Sequence, residues 1–183
     1  MQLVEFIDIT LKDVELIRAW RNSKYVSDYM YTNNIISKEE QVDWFSKITN
    51  SNSSKYWIIK YQDVKVGVVN ITNIDYVKCS CSWAFYIGEL EYRESGVGPQ
   101  TEYMIIEKIF TELMLKKIEC EVISNNIQVL NLHKHFGFKI TSNNDFFVIK
   151  NSVSIPVIKL CLLEVDWIKI RARLKKIIFN NLN

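Results

Sequence analysis

A glycine-spaced turn joins a β-rich run to a long helical run, and it reads Arg93-Glu94-Ser95-Gly96-Val97-Gly98-Pro99-Gln100. The chain has only five glycines, so each should mark a place where the backbone needs one. Small residues let backbone N–H groups approach an anion, and the dipole of the following helix favours negative charge. Pro99 removes one donor, so the predicted cradle uses the amides up to Gly98 and from Gln100 onward. By its spacing the turn is neither a dinucleotide fingerprint nor a Walker loop, and a turn without a ligand remains an alternative.

Hydrophobic periodicity predicts the order β-α-α-β-β-β-α-β-α-β-β-α, which is an α/β or α+β sandwich around one mixed sheet. Ser37 and Glu40 form a capping box, and the helix after it is expected to turn Val42, Phe45 and Ile48 inward. The predicted strands span 3–9, 56–61, 66–74, 79–88, 118–124, 145–150 and 155–163. The predicted helices span 11–22, 37–50, 98–116, 126–136 and 164–180.

The C-terminal segment is basic and amphipathic, with Trp167 and Leu174 on one side of a helix. We predict one domain over residues 1–163 and a helix over 164–183 that packs on it. A membrane-surface role is the alternative, because apolar and basic faces coexist on this helix.

Charge and cysteine content exclude several classes of protein. A net charge of +2, from 23 basic and 21 acidic residues, is too balanced for a protein held mainly by nucleic-acid phosphates. There is no CxxC motif and there are only two histidines, so we expect no metal site. The N-terminus lacks signal-peptide features, and no run reaches the roughly 18 apolar residues of a membrane span. We therefore expect a cytoplasmic protein with reduced thiols, no nucleic-acid partner and no integral membrane segment.

A second cluster is the helix from Asn126 to Phe136, which Gly137 is predicted to end as a left-handed cap. Helical spacing puts His133 on the same face as Val129 and Phe136, so the His133 ring should point inward. A hydrogen-bonded core histidine is the structural alternative to a catalytic one, whereas His135 should be solvated.

Together the two clusters resemble the GCN5-related N-acetyltransferases. The family's two patterns are (Gln/Arg)-x-x-Gly-x-(Gly/Ala) and Asn-x-x-Ala-x-x-Leu-Tyr-x-x-x-Gly-Phe. The residues that meet them are Arg93, Gly96 and Gly98, and then Asn126, Leu132, Gly137 and Phe138. The resemblance implies a single domain with a mostly antiparallel mixed sheet, helices on both faces, and acetyl-CoA inserted between splayed strands 79–88 and 118–124. The cofactor-binding residues that it implies are Phe85, Tyr86, Ile87, Gly88, Arg93, Glu94, Ser95, Gly96, Val97, Gly98, Gln100, Asn126 and Leu130.

Shorter features resemble one branch of that family, the nucleotide-sugar acetyltransferases of the pseudaminic acid pathway. These features are Trp20-Arg21-Asn22, Tyr29-Met30-Tyr31, Ile36-Ser37-x-Glu39-Glu40, Val68-x-Asn70-Ile71-Thr72, Phe85-Tyr86-Ile87-Gly88 and Asp166-Trp167. The branch acetylates the 4-amino group of UDP-4-amino-4,6-dideoxy-N-acetyl-β-L-altrosamine, by direct transfer from acetyl-CoA in a ternary complex. We assign the sugar-nucleotide side to Arg21, Met30, Tyr31, Gln41, Thr72 and Asn73.

Three positions depart from the family. His133 stands where the family has the tyrosine that protonates the departing thiolate, Gln41 where the sugar branch commonly has histidine, and Ser82 where relatives often have a glutamate base. An ordinary imidazole has a pKa near 6.5, against about 10 for tyrosine. If His133 is the catalytic acid, the rate should fall with rising pH on a limb that His133→Phe removes.

Other readings of the substrate stay open. They are an acetyltransferase for another amine, either a different amino-sugar nucleotide or a protein N-terminus, and an acyl-CoA-binding module with impaired catalysis. A homodimer is a possible assembly.

Overall fold

One mixed sheet forms the centre of the chain, in the strand order β1-β2-β3-β4-β5-β8-β6, with β7 paired to β8 beside this path. The computed structural model describes residues 3–142 and 146–180. The strands are β1 (Val4–Asp8), β2 (Lys55–Tyr61), β3 (Val64–Asp75), β4 (Ser80–Ile87), β5 (Lys117–Ile123), β6 (Lys139–Ser142), β7 (Phe147–Lys150) and β8 (Val153–Leu163). The helices are α1 (Val14–Asn22), α2 (Lys24–Ser27), α3 (Lys38–Thr49), α4 (Val97–Glu107), α5 (Ile127–His135) and α6 (Glu164–Asn180).

The pairing confirms the predicted fold class. Neighbouring strands run antiparallel, apart from β4 and β5, which are parallel. The predicted order of elements holds, with β6 and the short helix α2 as additions. The predicted strand over 145–150 begins at 147 in the structure, and residue 145 lies outside the described residues. Residues 1–2 and 181–183 of the predicted domain and terminal helix also lie outside them.

Helices cover both faces of the sheet. On one face, Ile17 and Trp20 of α1 pack with Ile58 and Val68 of β2 and β3. On the other face, α4 and α6 close the larger core, in which Trp167 is fully buried and stacks on Phe136 with 6.2 Å between ring centroids. The α6 helix therefore packs on the domain through Trp167, and Leu174 is buried on the same side. None of the helices within the described ranges is long and apolar enough to cross a membrane.

Sequence periodicity predicted one of the three inward positions of α3 wrongly. The Ser37–Glu40 capping box begins the helix as predicted, but Val42 is 47% exposed, and Gln41 is the residue that is buried. Trp44 packs edge-on against Tyr56 of β2, with 5.5 Å between centroids. The buried side of the helix thus runs through Gln41, Trp44, Phe45 and Ile48, so Phe45 and Ile48 are half-buried while Val42 faces outward.

The β3–β4 pairing depends on one glycine. Gly67 lies opposite Ile87, and a Cβ atom at position 67 would lie 2.1 Å from the carbonyl oxygen of Tyr86. The backbone of β4 could make room for such an atom only if the two strands moved apart. The absence of a side chain at Gly67 therefore allows β4 to lie close to β3.

Candidate active site

The cleft begins where β4 and β5 stop pairing. Their parallel ladder covers only Ser80–Ser82 against Lys117–Glu119, although both strands continue further. Beyond that point they diverge and open a cleft of about 880 Å³. Its walls are β4, β5, the N-terminal turn of α4, α5, and the segment from α1 to α3. The splay that the family resemblance implies is therefore present.

One wall of the cleft is a strand edge. Phe85, Tyr86 and Ile87 line the cleft, and β4 is paired with β3 on its other side as far as Ile87. The N–H and C=O groups along this edge past Ser82 suit an extended ligand that carries amides, as pantetheine does. Gly88 does not line the cleft. Its N–H donates to the carbonyl of Val66 at 2.7 Å, so this donor is used within the sheet.

The glycine-spaced turn becomes the N-terminus of α4. Gly96 has φ 84°, a left-handed conformation that side chains other than glycine rarely adopt, and it caps the helix. The first amides of a helix lack intrahelical acceptors, so Val97 and Gly98 have N–H groups suited to an anion. Gln100 differs from our expectation, because its N–H donates to the Gly96 carbonyl at 3.2 Å. The turn thus offers backbone groups up to Gly98, and Gly98 with Pro99 lines the cleft.

Several side chains of the turn serve the fold. Arg93 lines the cleft, yet its Nη2 donates to the carbonyls of Tyr25 at 2.8 Å and Ile87 at 3.3 Å. The guanidinium also lies over the Tyr25 ring, 5.0 Å from its centroid. Gln100 is buried and accepts the Val4 N–H at 3.1 Å. The predicted cofactor residues that do not line the cleft are Gly88, Glu94, Ser95, Gly96, Val97, Gln100 and Leu130.

Helix α5 supplies a polar start and a buried histidine. Asn126 lines the cleft and caps the helix by accepting the Val129 N–H at 3.4 Å, whereas Leu130 is buried in the core. His133 is 4% exposed and lines the cleft, with its ring 5.2 Å from that of Trp83 and 5.3 Å from that of Phe138.

The partner of His133 was not predicted from the sequence. His133 Nδ1 lies 2.9 Å from Oε1 of Glu102, a fully buried residue of α4. Burial raises the pKa of the Glu102 carboxyl, and the adjacent imidazole opposes part of that rise. A carboxylate on the same helical face as Gly98, four residues earlier, was the available signal, because both positions point toward the sheet.

All six residues assigned to the sugar-nucleotide side line the cleft: Arg21, Met30, Tyr31 and Gln41 at the end formed by the segment from α1 to α3, and Thr72 and Asn73 on β3 beside Ser82. Arg21 Nη1 and the Tyr86 hydroxyl are both buried there, and neither has a hydrogen-bond partner among the described residues. Burial raises the pKa of the Tyr86 phenol, and the positive charge of Arg21 opposes that rise. A buried guanidinium nitrogen without a hydrogen-bond acceptor is costly unless a ligand provides one.

Residues 28–33, which we call the strap, cover this end of the cleft. Tyr31 donates its hydroxyl proton to Glu121 of β5, and the Asn33 side chain bonds that of Asn151 at 3.0 Å. The ammonium of Lys150 is buried and donates to the carbonyls of Ser27 at 2.7 Å and Asp28 at 2.8 Å. The strap is therefore fixed by side chains far away in the sequence.

Two polar residues meet where the strands separate. Ser82 and Glu119 are register partners at the last β4–β5 pair, and both line the cleft. The Ser82 hydroxyl accepts a hydrogen bond from Asn73 at 3.3 Å. Sequence reasoning found no carboxylate beside Ser82, because Glu119 belongs to the neighbouring strand. Within residues 3–142 and 146–180, no three His, Cys, Asp or Glu side chains are grouped to hold a metal.

The acetyltransferase (GNAT) domain family model matches residues 4–139. The chain belongs to this family, and it is an acetyl-CoA-dependent N-acetyltransferase of the GNAT type. The predicted resemblance is thereby confirmed. The open edge of β4 and the amides that begin α4 fit the family's co-substrate.

The relatives are acetyltransferases, and only some of their names state an amine. Acetyltransferase PseH of Campylobacter jejuni subsp. jejuni serotype O:23/36 is 27% identical over 148 residues, which cover 80% of this chain and 90% of that protein. Spermidine N(1)-acetyltransferase of Escherichia coli K12 is 20% identical over 159 residues, covering 86% and 84%. The crystal structure of Vibrio cholerae spermidine N-acetyltransferase with CoA and spermine superimposes with a TM-score of 0.82 at 20% identity, covering 90% of this chain and 98% of that chain.

Proposed function

We propose that this enzyme acetylates the amino group of a nucleotide-linked amino-deoxy sugar similar to UDP-4-amino-4,6-dideoxy-N-acetyl-β-L-altrosamine, by direct transfer in a ternary complex. The observation that carries the proposal is the buried, unpaired Nη1 of Arg21 at the strap end of the cleft. The similarity to acetyltransferase PseH over most of the chain supports the same substrate class.

A guanidinium discriminates between the candidate substrates by charge. A diphosphate can occupy the donor fork of Arg21 in a bidentate way and satisfy the atom that the protein leaves unpaired. A polyamine carries only positive charge and would be repelled by Arg21 in a site of low dielectric. The aromatic rings of Tyr29, Trp44 and Tyr56 at the same end suit stacking on a base or sugar.

Carboxylates on β5 are candidates for binding the amino group of such a substrate. Glu119 and Glu121 line the cleft on β5, close to where the strands separate. An amino sugar nucleotide carries an ammonium as well as a diphosphate, and Glu119 would hold the ammonium near the splay. Glu119 is our candidate for accepting the amine proton, since it lies beside Ser82 at the last paired position.

The remaining steps are assigned to residues around the splay. When bound, acetyl-CoA supplies an acetyl group on a thioester. The edge of β4 would hold that ligand in line with the amine, which can provide much of the rate by positioning alone. The backbone of the Gly96–Gly98 turn and Asn126 would hold its phosphate arm, and His133 would give a proton to the departing thiolate.

A polyamine is the second candidate substrate. Glu40, Glu119 and Glu121 line the cleft, and the fold matches a spermidine N-acetyltransferase of Vibrio cholerae with a TM-score of 0.82. The acids alone would favour such a cation, so the choice depends on whether they or Arg21 dominate recognition.

The test is release of free thiol from acetyl-CoA, measured with separate amines. The arms are no added amine, the UDP-linked 4-amino sugar, spermidine, and a peptide with a free N-terminus. We expect fast release only with the sugar nucleotide. Release with spermidine or peptide alone would reject the sugar substrate, and no release with any amine would favour an acyl-CoA-binding module.

The role of His133 is tested in the same assay across pH. The wild-type rate should fall with rising pH on one limb, because a neutral imidazole is a poor acid. His133→Phe should remove the limb and lower kcat by about 100-fold. Full turnover in His133→Phe would mean that the proton comes from another group.

A further inference from the structure

The buried carboxyl of Glu102 has no place in the reaction assigned so far. It is fully buried, its Oε1 contacts His133 Nδ1 at 2.9 Å, and its Oε2 has no hydrogen-bond partner among the described residues. A buried carboxyl with one idle oxygen costs stability unless something offsets it. Among the described residues, the polar contact of the Glu102 carboxyl is with the His133 ring, and His133 lines the cleft. The pair therefore lies beside the site assigned to the reaction.

The imidazole is oriented by this contact. Glu102 occupies Nδ1, and the rings of Trp83 and Phe138 pack around the imidazole at centroid distances of 5.2 and 5.3 Å. The ring nitrogen left for the cleft is therefore Nε2. A hydrogen bond to one imidazole nitrogen sets the protonation of the other, so Glu102 determines what Nε2 can do.

Resting on the proposed function, we propose that Glu102 is a positioning residue that forms a buried proton relay with His133. In the loaded pair, one proton lies between Glu102 Oε1 and His133 Nδ1, and a second proton is on Nε2. The pair then carries no net charge, which suits a buried site.

Over one turnover the Glu102–His133 pair releases one proton and takes up one proton. The C–N bond forms as the C–S bond breaks, and the Nε2 proton passes to the sulfur. The shared proton remains on Nδ1, and Glu102 is left as a carboxylate beside it. The proton that the amine nitrogen loses passes through Glu119 to solvent, from which the pair is reloaded, so the turnover consumes no proton.

Two other titratable groups act on this pair electrostatically. Cys120 lies on β5, and its burial raises the pKa of its thiol well above the usual value, so it stays neutral. His135 on α5 is exposed, and a protonated His135 would favour the ionised carboxyl of Glu102. Neither replaces a carboxyl in contact with Nδ1.

The first test is Glu102→Gln, which keeps the shape of the side chain and removes its acid. Without the carboxyl, the charged imidazole loses its partner, so the alkaline limb of kcat should move to lower pH by about one unit. We expect kcat at neutral pH to fall about 100-fold, with the KM for acetyl-CoA changed less than about twofold.

A matched control is Glu107→Gln. Glu107 is on the same helix and accepts the Trp167 Nε1–H at 2.6 Å, away from the cleft. This variant should keep the position of the alkaline limb. If Glu102→Gln also keeps it while losing activity evenly at all pH values, Glu102 only packs His133 and the relay is wrong.

A second test uses the wild-type enzyme and needs no turnover. The chain has only two histidines, so ¹⁵N-histidine labelling gives two ring spectra, which His135→Asn assigns. Raising the pH should remove the proton from His133 Nε2 and leave Nδ1 protonated. A bare Nδ1 with a protonated Nε2 at high pH would overturn the relay. Because no substrate is present, this result holds even if the sugar substrate is wrong.

Discussion

The two ends of the cleft present different kinds of group to a ligand, backbone at one end and side chains at the other. At the turn end, formed by the edge of β4 and the start of α4, the groups that face a ligand are mainly backbone, positioned by Gly96 and Gly98. At the strap end they are side chains, such as Arg21 at the C-terminal end of α1 and Tyr31 on irregular chain, where Glu121 of β5 holds the Tyr31 hydroxyl. A backbone site tolerates many side chains but needs its glycines, whereas a side-chain site can change ligand by substitution.

The largest effect should come from the strand pairing that supports the turn end. Gly67→Ala would place a Cβ atom 2.1 Å from the Tyr86 carbonyl oxygen. We expect a loss of about 3 kcal/mol or more in the free energy of unfolding, measured by urea denaturation.

Gly98→Ala is the matched control, since its nearest neighbours would be ordinary contacts at 3.8 Å from Leu132 and 3.9 Å from Phe85. It should unfold at nearly the wild-type urea concentration. If Gly67→Ala were as stable as Gly98→Ala, the close approach of β3 and β4 would not be what stabilises the turn end of the cleft.

The next effect belongs to the strap end. Arg21→Gln removes the charge that we assign to the diphosphate, and a lost charge-assisted hydrogen bond costs about 1.5–3 kcal/mol. The KM for the sugar nucleotide should therefore rise about 10- to 100-fold, whereas the Kd for acetyl-CoA stays at the wild-type value. Arg171→Gln, whose guanidinium lies 3.5 Å from Glu107 on the far side of the domain, is the control for loss of a charge. A weakened acetyl-CoA affinity in Arg21→Gln would mean that the two ends are not separate.

A smaller effect should follow from loosening the strap. Lys150→Met leaves the carbonyls of Ser27 and Asp28 without their buried donor. Because the strap then loses one of its anchors, we expect the KM for the sugar nucleotide to rise about tenfold, which corresponds to about 1.4 kcal/mol. Lys169→Met, an exposed residue paired with Asp166, should leave KM unchanged. If the KM for the sugar nucleotide is unchanged in Lys150→Met, the anchoring of the strap by Lys150 does not contribute to substrate binding.

The same contrast explains what the sequence could predict. The Gly96–Gly98 turn, the Ser37 capping box and the cap at Gly137 are local patterns, so their places in the fold followed from spacing. Glu102, Lys150 and Glu119 act through contacts that the fold brings together, and local periodicity carries no record of such pairs. For the same reason Arg93 is predicted among the cofactor-binding residues, although its Nη2 donates to the carbonyls of Tyr25 and Ile87.

The central claim is that Arg21 makes the strap end a site for an anionic amino-sugar nucleotide. A competition in one tube tests it most directly, with acetyl-CoA limiting and the UDP-linked 4-amino sugar and spermidine at equal concentration. Mass spectrometry then counts the acetyl groups on each amine. We predict that at least about 90% of the acetyl is on the sugar nucleotide, since a 1.4 kcal/mol preference already gives tenfold. Acetyl found mainly on spermidine would contradict the claim.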